Sequence, residues 1–512
     1  MIRRRNTITR LWMVVLSNLV LLGLLAACGG AAATDPQGAG VVGPGASEIA
    51  QEDPAAGEEA TVAVEGPTAV TMKPTGVPEV ACQEGQKELV WMVRNGPVEN
   101  QWEANVVRPA FQKAHPEICL KILSINQDDI AVKREAMIAA GEPLHVWSTN
   151  WGGDGFASDR ARGLIEDLTP FIQRDNYDLE KFVPSVLEIY QAEGKTWGLP
   201  FLTTGSYVYY NKKLFDEAGV PYPPIDWDDE SWTWDKFVET AKKLTKNTDD
   251  INKAQFGALG TVLNIEGPPM MWGHIPWPEG TYDTGYAPEG IQVANEKSVA
   301  AFNALHDLVY EHKVAPEPAA AAALDQLGGA FAAGRVAMAM SGGWGHWSWK
   351  ELINDPNGFC WGVAPMPKGA PDADIRTVIF TDPWVMTANL KPEEQDMAWT
   401  FIKFLTDPEN AAAYTEATGT PPTQTALLED YYKQYEKCMD VADMKTVFEG
   451  AFTHGRESSN HMLVRWDELN QIWTNNLDPF WSDPAADAAP VLQEIETQTN
   501  EALARIAEEK GQ

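Results

Sequence analysis

ELVWMVRNGPVENQWEANVVRPAFQKAHPEICLKILSI, Glu88 to Ile125, changes its hydrophobic period twice. ELVWMVR (Glu88–Arg94) is a continuous apolar run of strand length. Behind it Trp102, Val106, Ala110 and Ala114 recur every four residues, as on one stripe of a helix, with Pro109 placed to bend it. ICLKILSI (Ile118–Ile125) is a second strand. The unit then repeats: DDIAVKREAMIAA (Asp128–Ala140) is a helix closed by Gly141, and HVWST (His145–Thr149) is a third strand. Strand, helix, strand, helix, strand implies right-handed crossovers and a parallel sheet, so the class is α/β, with ligands expected beyond the carboxyl ends of the strands. Those ends carry Asn95-Gly96-Pro97 and the run Trp147-Ser148-Thr149-Asn150-Trp151-Gly152-Gly153-Asp154.

Further along, the helical signals are clear. In SWTWDKFVETAKKL (Ser231–Leu244), Thr233 is placed to cap, and Trp234, Phe237, Val238, Ala241 and Leu244 line one face. Met397, Ala398, Phe401, Ile402 and Leu405 repeat the pattern, and Gly419 with Pro421 and Pro422 stops the helix that follows. VLQEIETQTNEALARIAEEKGQ, at the end, is a last amphipathic helix.

Toward the start the chain is of another kind. Arg3, Arg4, Arg5 and Arg10 precede the apolar run Leu11–Leu25, an order of basic, greasy and small residues that an export signal requires. Leu25-Ala26-Ala27-Cys28 resembles the bacterial lipobox, which makes residues 1–28 a lipoprotein signal and Cys28 the acylated residue. Two acyl chains would anchor the protein stably where one would not. Residues 29–81 are mostly Ala, Gly, Pro, Glu, Thr and Val without an aromatic residue, and read as a disordered tether. Such a leash averages roughly 40 Å end to end. Gly38-Ala-Gly-Val-Val-Gly43 fits GxGxxG but has neither the strand before it nor the helix after it that a dinucleotide site needs, so no cofactor is expected.

The whole chain carries 39 basic and 73 acidic residues, a net charge of -34, with no basic stripe, which excludes nucleic acid as a natural partner. Apart from Cys28, four cysteines remain. They allow three pairings; neighbouring parallel strands could bring Cys82 to Cys119, leaving Cys360 for Cys438, and reduced buried thiols are the alternative. No Cys or His spacing forms a zinc site.

Glu193-Gly-Lys-Thr-Trp-Gly-Leu-Pro200, then Tyr209-Tyr-Asn-Lys-Lys-Leu-Phe-Asp-Glu-Ala-Gly-Val220, resemble the signature run of family 1 extracellular solute-binding proteins. These are the maltose-binding-protein-like receptors of ABC sugar importers. GGAFAAGRVAMAMSGGWG (Gly328–Gly345), WGVAPMPKG (Trp361–Gly369) and AWTFIKFLTDPENAAAY (Ala398–Tyr414) follow in the family's order. The resemblance implies a two-lobe periplasmic-binding-protein fold of type II, with three hinge crossings, expected near Thr203, Phe380 and Gly450. Residues 82–203 and 380–450 would form the N-terminal lobe, and 204–379 and 451–512 the C-terminal lobe. It further implies a monomer that holds a carbohydrate between its lobes and delivers it to permease subunits outside the cell membrane.

A sugar offers hydroxyl edges and apolar C–H faces, so its site needs aromatic platforms beside planar polar groups. Of the 20 tryptophans, Trp91, Trp102, Trp234 and Trp399 fall within proposed strands or helical faces. Trp147, Trp151, Trp272, Trp277, Trp344, Trp347 and Trp384 stand in Gly- and Pro-rich connections, where binding is the more natural use. By the resemblance, one side of the site comprises Asn95, Trp147, Asn150, Trp151, Asp154, Thr203, Thr204 and Tyr207. Met271, Trp272, Trp344, Asp382 and Trp384 oppose them, and Arg456 is a weaker candidate. TDPW (Thr381–Trp384) stands where many members have a Gly-rich loop, which sets Asp382 apart. A glycosidase would also be exported and rich in Trp, and needs two carboxylates about the sugar. No GxSxG or HExxH occurs, and Ile189 replaces the first glycine of a P-loop before Gly194-Lys-Thr. A surface lectin without transport is the third reading.

Overall fold

The computed structural model describes residues 76–151, 155–260, 264–287 and 289–510. Cys28, the tether up to residue 75 and the Gly38–Gly43 motif lie outside the described residues, as does Asp154.

Two sheets organise the chain. The first contains β1 (Lys87–Arg94), β2 (Ile118–Ile125), β3 (Val146–Trp147), β4 (Leu199–Thr204), β9 (Thr377–Met386) and β10 (Gly455–Glu457). Its order is β10-β9-β3-β1-β2, with β4 also paired to β9. The second contains β5 (Ser206–Asn211), β6 (Phe256–Leu259), β7 (Val336–Gly342) and β8 (Trp361–Ala364), in the order β8-β5-β7-β6. β1 and β2 run parallel in register from Lys87 opposite Ile118 to Arg94 opposite Ile125. Leu89 to Val93 are all buried, as a strand covered by helices on both faces must be.

The helical stripe behind β1 differs from expectation. α1 (Pro97–Trp102) and α2 (Arg108–Ala114) are joined by a π-helical stretch, Glu103–Val107, and the Arg108 amide bonds back to the Glu103 carbonyl. One extra residue per turn moves the buried face to Trp102, Val107 and Phe111, and leaves Val106 46% exposed. Pro109, which has no amide hydrogen to give, sits directly after this widened turn. α3 (Gln127–Ala140) ends on Gly141 in the left-handed region. Thr233 caps α5 (Trp234–Leu244) by accepting from the Lys236 amide at 3.2 Å, and the five apolar residues of its face are buried. The face of α6 (Pro392–Leu405) is buried in the same way, and α7 (Pro408–Thr418) stops on Gly419.

Each sheet carries its own core. Trp91, Trp399, Phe401 and Met386 belong to the first, and Tyr209, Trp361, Phe237 and Trp473 to the second. β4 and β9 lead from one to the other side by side: Leu199 and Trp384 lie in the first core, Tyr207 and Val378 in the second, and Thr203 pairs with Thr381 between them. The Ser206 amide and hydroxyl tie this passage to Thr377 and Val378. Residues 431–448, expected with the first lobe, pack instead in the second core. There Tyr431, Tyr432 and Tyr435 cluster with Phe448, and Cys438 is bonded to Cys360 with Cα atoms 5.1 Å apart. Gln424 donates to Thr406 at 3.0 Å, whereas Tyr431 lies in the second core. Periodicity shows that a helix has an apolar face but not which of two cores receives it. A second disulfide joins Cys82 to Cys119 beside the β1–β2 pair, with Cα atoms 5.5 Å apart.

Candidate functional site

β9 runs antiparallel to β3, with Val385 opposite Trp147, so its middle passes the carboxyl end of β3. This brings Thr381 and Asp382 to the loop that contains Asn150 and Trp151. Asn150 Nδ2 donates to the Thr381 carbonyl at 2.5 Å and to the Tyr190 hydroxyl at 3.3 Å. Trp151 Nε1 donates to Asp382 Oδ2 at 3.1 Å. Arg94, at the end of β1, lies 5.8 Å from the Trp151 ring and is paired with Glu99 at 3.3 Å. Burial raises the pKa of Asp382, against the opposing pull of Arg94 and the Trp151 and Asn150 donors.

The other wall comes from the second core and β10. α8 (Ser459–Met462) follows Glu457, which lies opposite Ile379. Burial pushes the Glu457 carboxyl up to about 8, and pulls His461, whose Nδ1 is 3.8 Å from it, down to about 3. Tyr190, fully buried in the first core with its hydroxyl accepting from Asn150, is pushed well up by burial and by the carboxylates of Asp382 and Glu457. Behind α8 the buried Glu266 accepts from the Ser459 amide at 2.8 Å and from Trp277 Nε1 at 3.4 Å. Trp344, partly buried, packs edge-on to Phe380 at 5.1 Å, and Phe380 meets His461 at 6.0 Å.

The walls already touch. α4 (Phe156–Ala161) sends Phe156 into the first core and Ala157 into the second. Before it, Gly155 lies against the Asn460 carbonyl so closely that a Cβ there would be 1.9 Å away. The Arg465 amide donates to Ser158 Oγ at 3.4 Å.

Of the expected residues, Asn150, Trp151 and Asp382 are brought together and Trp344 lies on the opposing side. Trp147 is 1% exposed, stacked under Arg134 at 4.6 Å with its Nε1 on Thr387, and belongs to the first core. Trp384 is likewise core, stacked on Phe201 at 4.0 Å. Both lie in strands rather than loops. Met271 and Trp272 are buried in the second core, Trp272 against Trp234 at 5.0 Å, and Trp277 is core too. Thr203, Thr204 and Tyr207 are fully buried in the passage between sheets. Asn95 sits at the right end of β1, but its amide is engaged by Asn126 and Asn100. Arg456 is exposed on β10. Arg94, Tyr190, Glu457 and His461 were not expected; only the position of Arg94, directly before Asn95, carried a signal. Among the described residues no group of side chains could hold a metal ion.

Two α/β lobes joined by three passages, with polar and aromatic side chains between them, define the two-lobe binding-protein class. Residues 108–440 match the family described as bacterial extracellular solute-binding protein, and the chain belongs to that family. The sn-glycerol-3-phosphate-binding periplasmic protein of Pectobacterium atrosepticum is 27% identical over 409 residues, 74% of this chain and 84% of the relative. An ABC substrate-binding protein from Listeria monocytogenes in complex with cycloalternan superposes with a TM-score of 0.65 at 20% identity, covering 82% of this chain and 99% of that one. UgpB from Mycobacterium tuberculosis in complex with glycerophosphocholine gives 0.65 at 20% identity, covering 83% and 100%.

Proposed function

We propose that this protein is an extracytoplasmic receptor that closes its lobes on a carbohydrate and passes it, chemically unchanged, to the permease subunits of an ABC importer. What supports the reading is that Asn150, Trp151, Asp382 and Tyr190 are joined on one side, while on the other Trp344 packs on Phe380 and Glu457 lies opposite Ile379, in the stretch of β9 that leads to Asp382. Planar hydrogen-bonding groups stand there beside aromatic faces, as sugar hydroxyls and C–H faces require. The groups come from five separate segments spread over both lobes, so the site is complete only when the lobes approach, which couples binding to closure. We assign residues 82–203 and 381–424 to one lobe and 206–378 and 431–510 to the other. Acylation at Cys28 and the tether of residues 29–81 would hold a monomer near its permease. The family's members bind rather than transform their solutes, and we read this chain as no enzyme.

The test is a thermal-shift and tryptophan-fluorescence screen of hexoses, oligosaccharides, polyols and glycerol phosphates on the purified protein. Saturable stabilisation by a sugar, with the sugar recovered intact, is expected; conversion of the sugar would end the receptor reading in favour of a glycosidase.

A further inference from the structure

The groups that meet between the lobes are unbalanced in charge. Asp382 has Arg94 nearby, but Arg94 is itself paired with Glu99. Glu457 has no such partner. Its one ion-pair geometry among the described residues is with His461 Nδ1 at 3.8 Å, and its side chain is 15% exposed, so it is sheltered yet reachable. His461 is 2% exposed, and its Nδ1, which faces Glu457, has no hydrogen-bond partner. Glu266 adds a third buried carboxyl on the same side. A buried acid without a cation is costly unless something supplies one.

We infer, resting on the receptor reading above, that the missing cation comes with the ligand: the site takes a sugar bearing a primary ammonium group, seated on Glu457 beside the Tyr190 hydroxyl and the Trp344–Phe380 edge. A primary ammonium brings three N–H donors to carboxylate oxygens that accept none from the described side chains. A quaternary ammonium brings no donor and would be held by aromatic faces alone. The same excess of carboxyls opposes phosphorylated ligands. Seating the ammonium requires the ionised carboxylate, so binding expels the carboxyl proton to solvent. The groups that face this exchange are Asp382 and Tyr190 on one wall and His461 and Glu266 on the other, with Arg94 and Glu99 behind Asp382.

The experiment is calorimetric titration of the full chain with glucosamine, galactosamine and mannosamine, against the matching hexoses, the N-acetylated amines, and choline. Runs at pH 6 and 7, in two buffers of different ionisation enthalpy, count the protons released. At least one hexosamine should bind ten times or more tighter than both its hexose and its N-acetyl form, tighten as pH rises from 6 to 7, and release close to one proton. Glu457→Gln should bring the ratio near one and abolish proton release; if that variant does not fold, proton release by the unaltered protein decides. Hexoses binding as tightly as hexosamines would overturn the inference and leave the sugar receptor standing. Preference for choline would overturn the primary-ammonium assignment. Absence of binding by every sugar would overturn both readings.

Discussion

Trp151 donates its indole N–H to Asp382, 231 residues further along the chain, across 3.1 Å. The bond joins the loop after β3 to the strand that passes from one core to the other, so the buried indole that we place in the proposed site also ties that loop to the passage between the cores. Trp151→Phe keeps the ring and removes the donor. Losing a hydrogen bond to a carboxyl group costs about 1.5–3 kcal/mol. Ligand affinity should fall by roughly tenfold or more, read by titration calorimetry. An unchanged affinity would remove the pair from the site.

Trp344 and Trp147 looked alike as residues of Gly-rich surroundings, and the structure separates them. Trp344→Ala should weaken binding by at least about 1 kcal/mol through loss of an aromatic platform, with little loss of stability. Trp147→Ala empties a place in the first core and should cost about 3–5 kcal/mol in stability, while the protein that remains folded binds normally. Urea unfolding alongside binding isotherms distinguishes the two.

The fold was largely legible because its strongest patterns are local. ELVWMVR and ICLKILSI are strands at nearly the expected bounds, and Thr233 caps where a Thr before an apolar face should. The helix behind β1 was misread because a π turn adds one residue to the stripe, which no period of 3.6 reveals. The site was less legible. Trp147 sits in a two-residue strand ahead of a Gly-rich loop and Trp384 directly after Pro383 in a ten-residue strand, so composition implied loops. Tyr190 is tied to Asn150, and Glu457 is brought opposite Ile379 of β9, by long-range pairings, and the sequence near either is unremarkable for a core tyrosine or a surface acid.

Gly155 marks the contact between the lobes. Any side chain there meets the Asn460 carbonyl at 1.9 Å, and the backbone cannot give way cheaply. Gly155→Ala should therefore shift the protein toward an open form, with a larger radius of gyration by small-angle X-ray scattering and a weaker affinity. A fold and scattering profile identical to the parent, with unchanged affinity, would place the lobe contact elsewhere.

The buried acid and histidine predict a particular pH dependence. Glu457 is raised from its ordinary 4.5 to about 8, so between those values the folded chain holds a proton that the unfolded chain gives up, and stability falls as pH rises. His461 is lowered from 6.5 to about 3; across that window the unfolded chain takes up a proton the folded one refuses, and stability rises with pH. The two oppose each other from pH 4.5 to 6.5. From 6.5 to 8 only the acid acts, and ligand-free stability should drop by up to about 1.4 kcal/mol per pH unit. Chemical denaturation at pH 6.5, 7.25 and 8 checks this, and Glu457→Gln should flatten the slope.

The proposed receptor holds a sugar at the junction between the lobes and leaves it chemically unchanged. Isothermal titration of the full chain with the sugar that stabilises it most, followed by chromatographic recovery of that sugar from the denatured complex, tests it most directly. One sugar bound per chain and quantitative recovery of the same molecule are expected. Recovery of a shortened or altered sugar, or no saturable binding by any sugar, would contradict it.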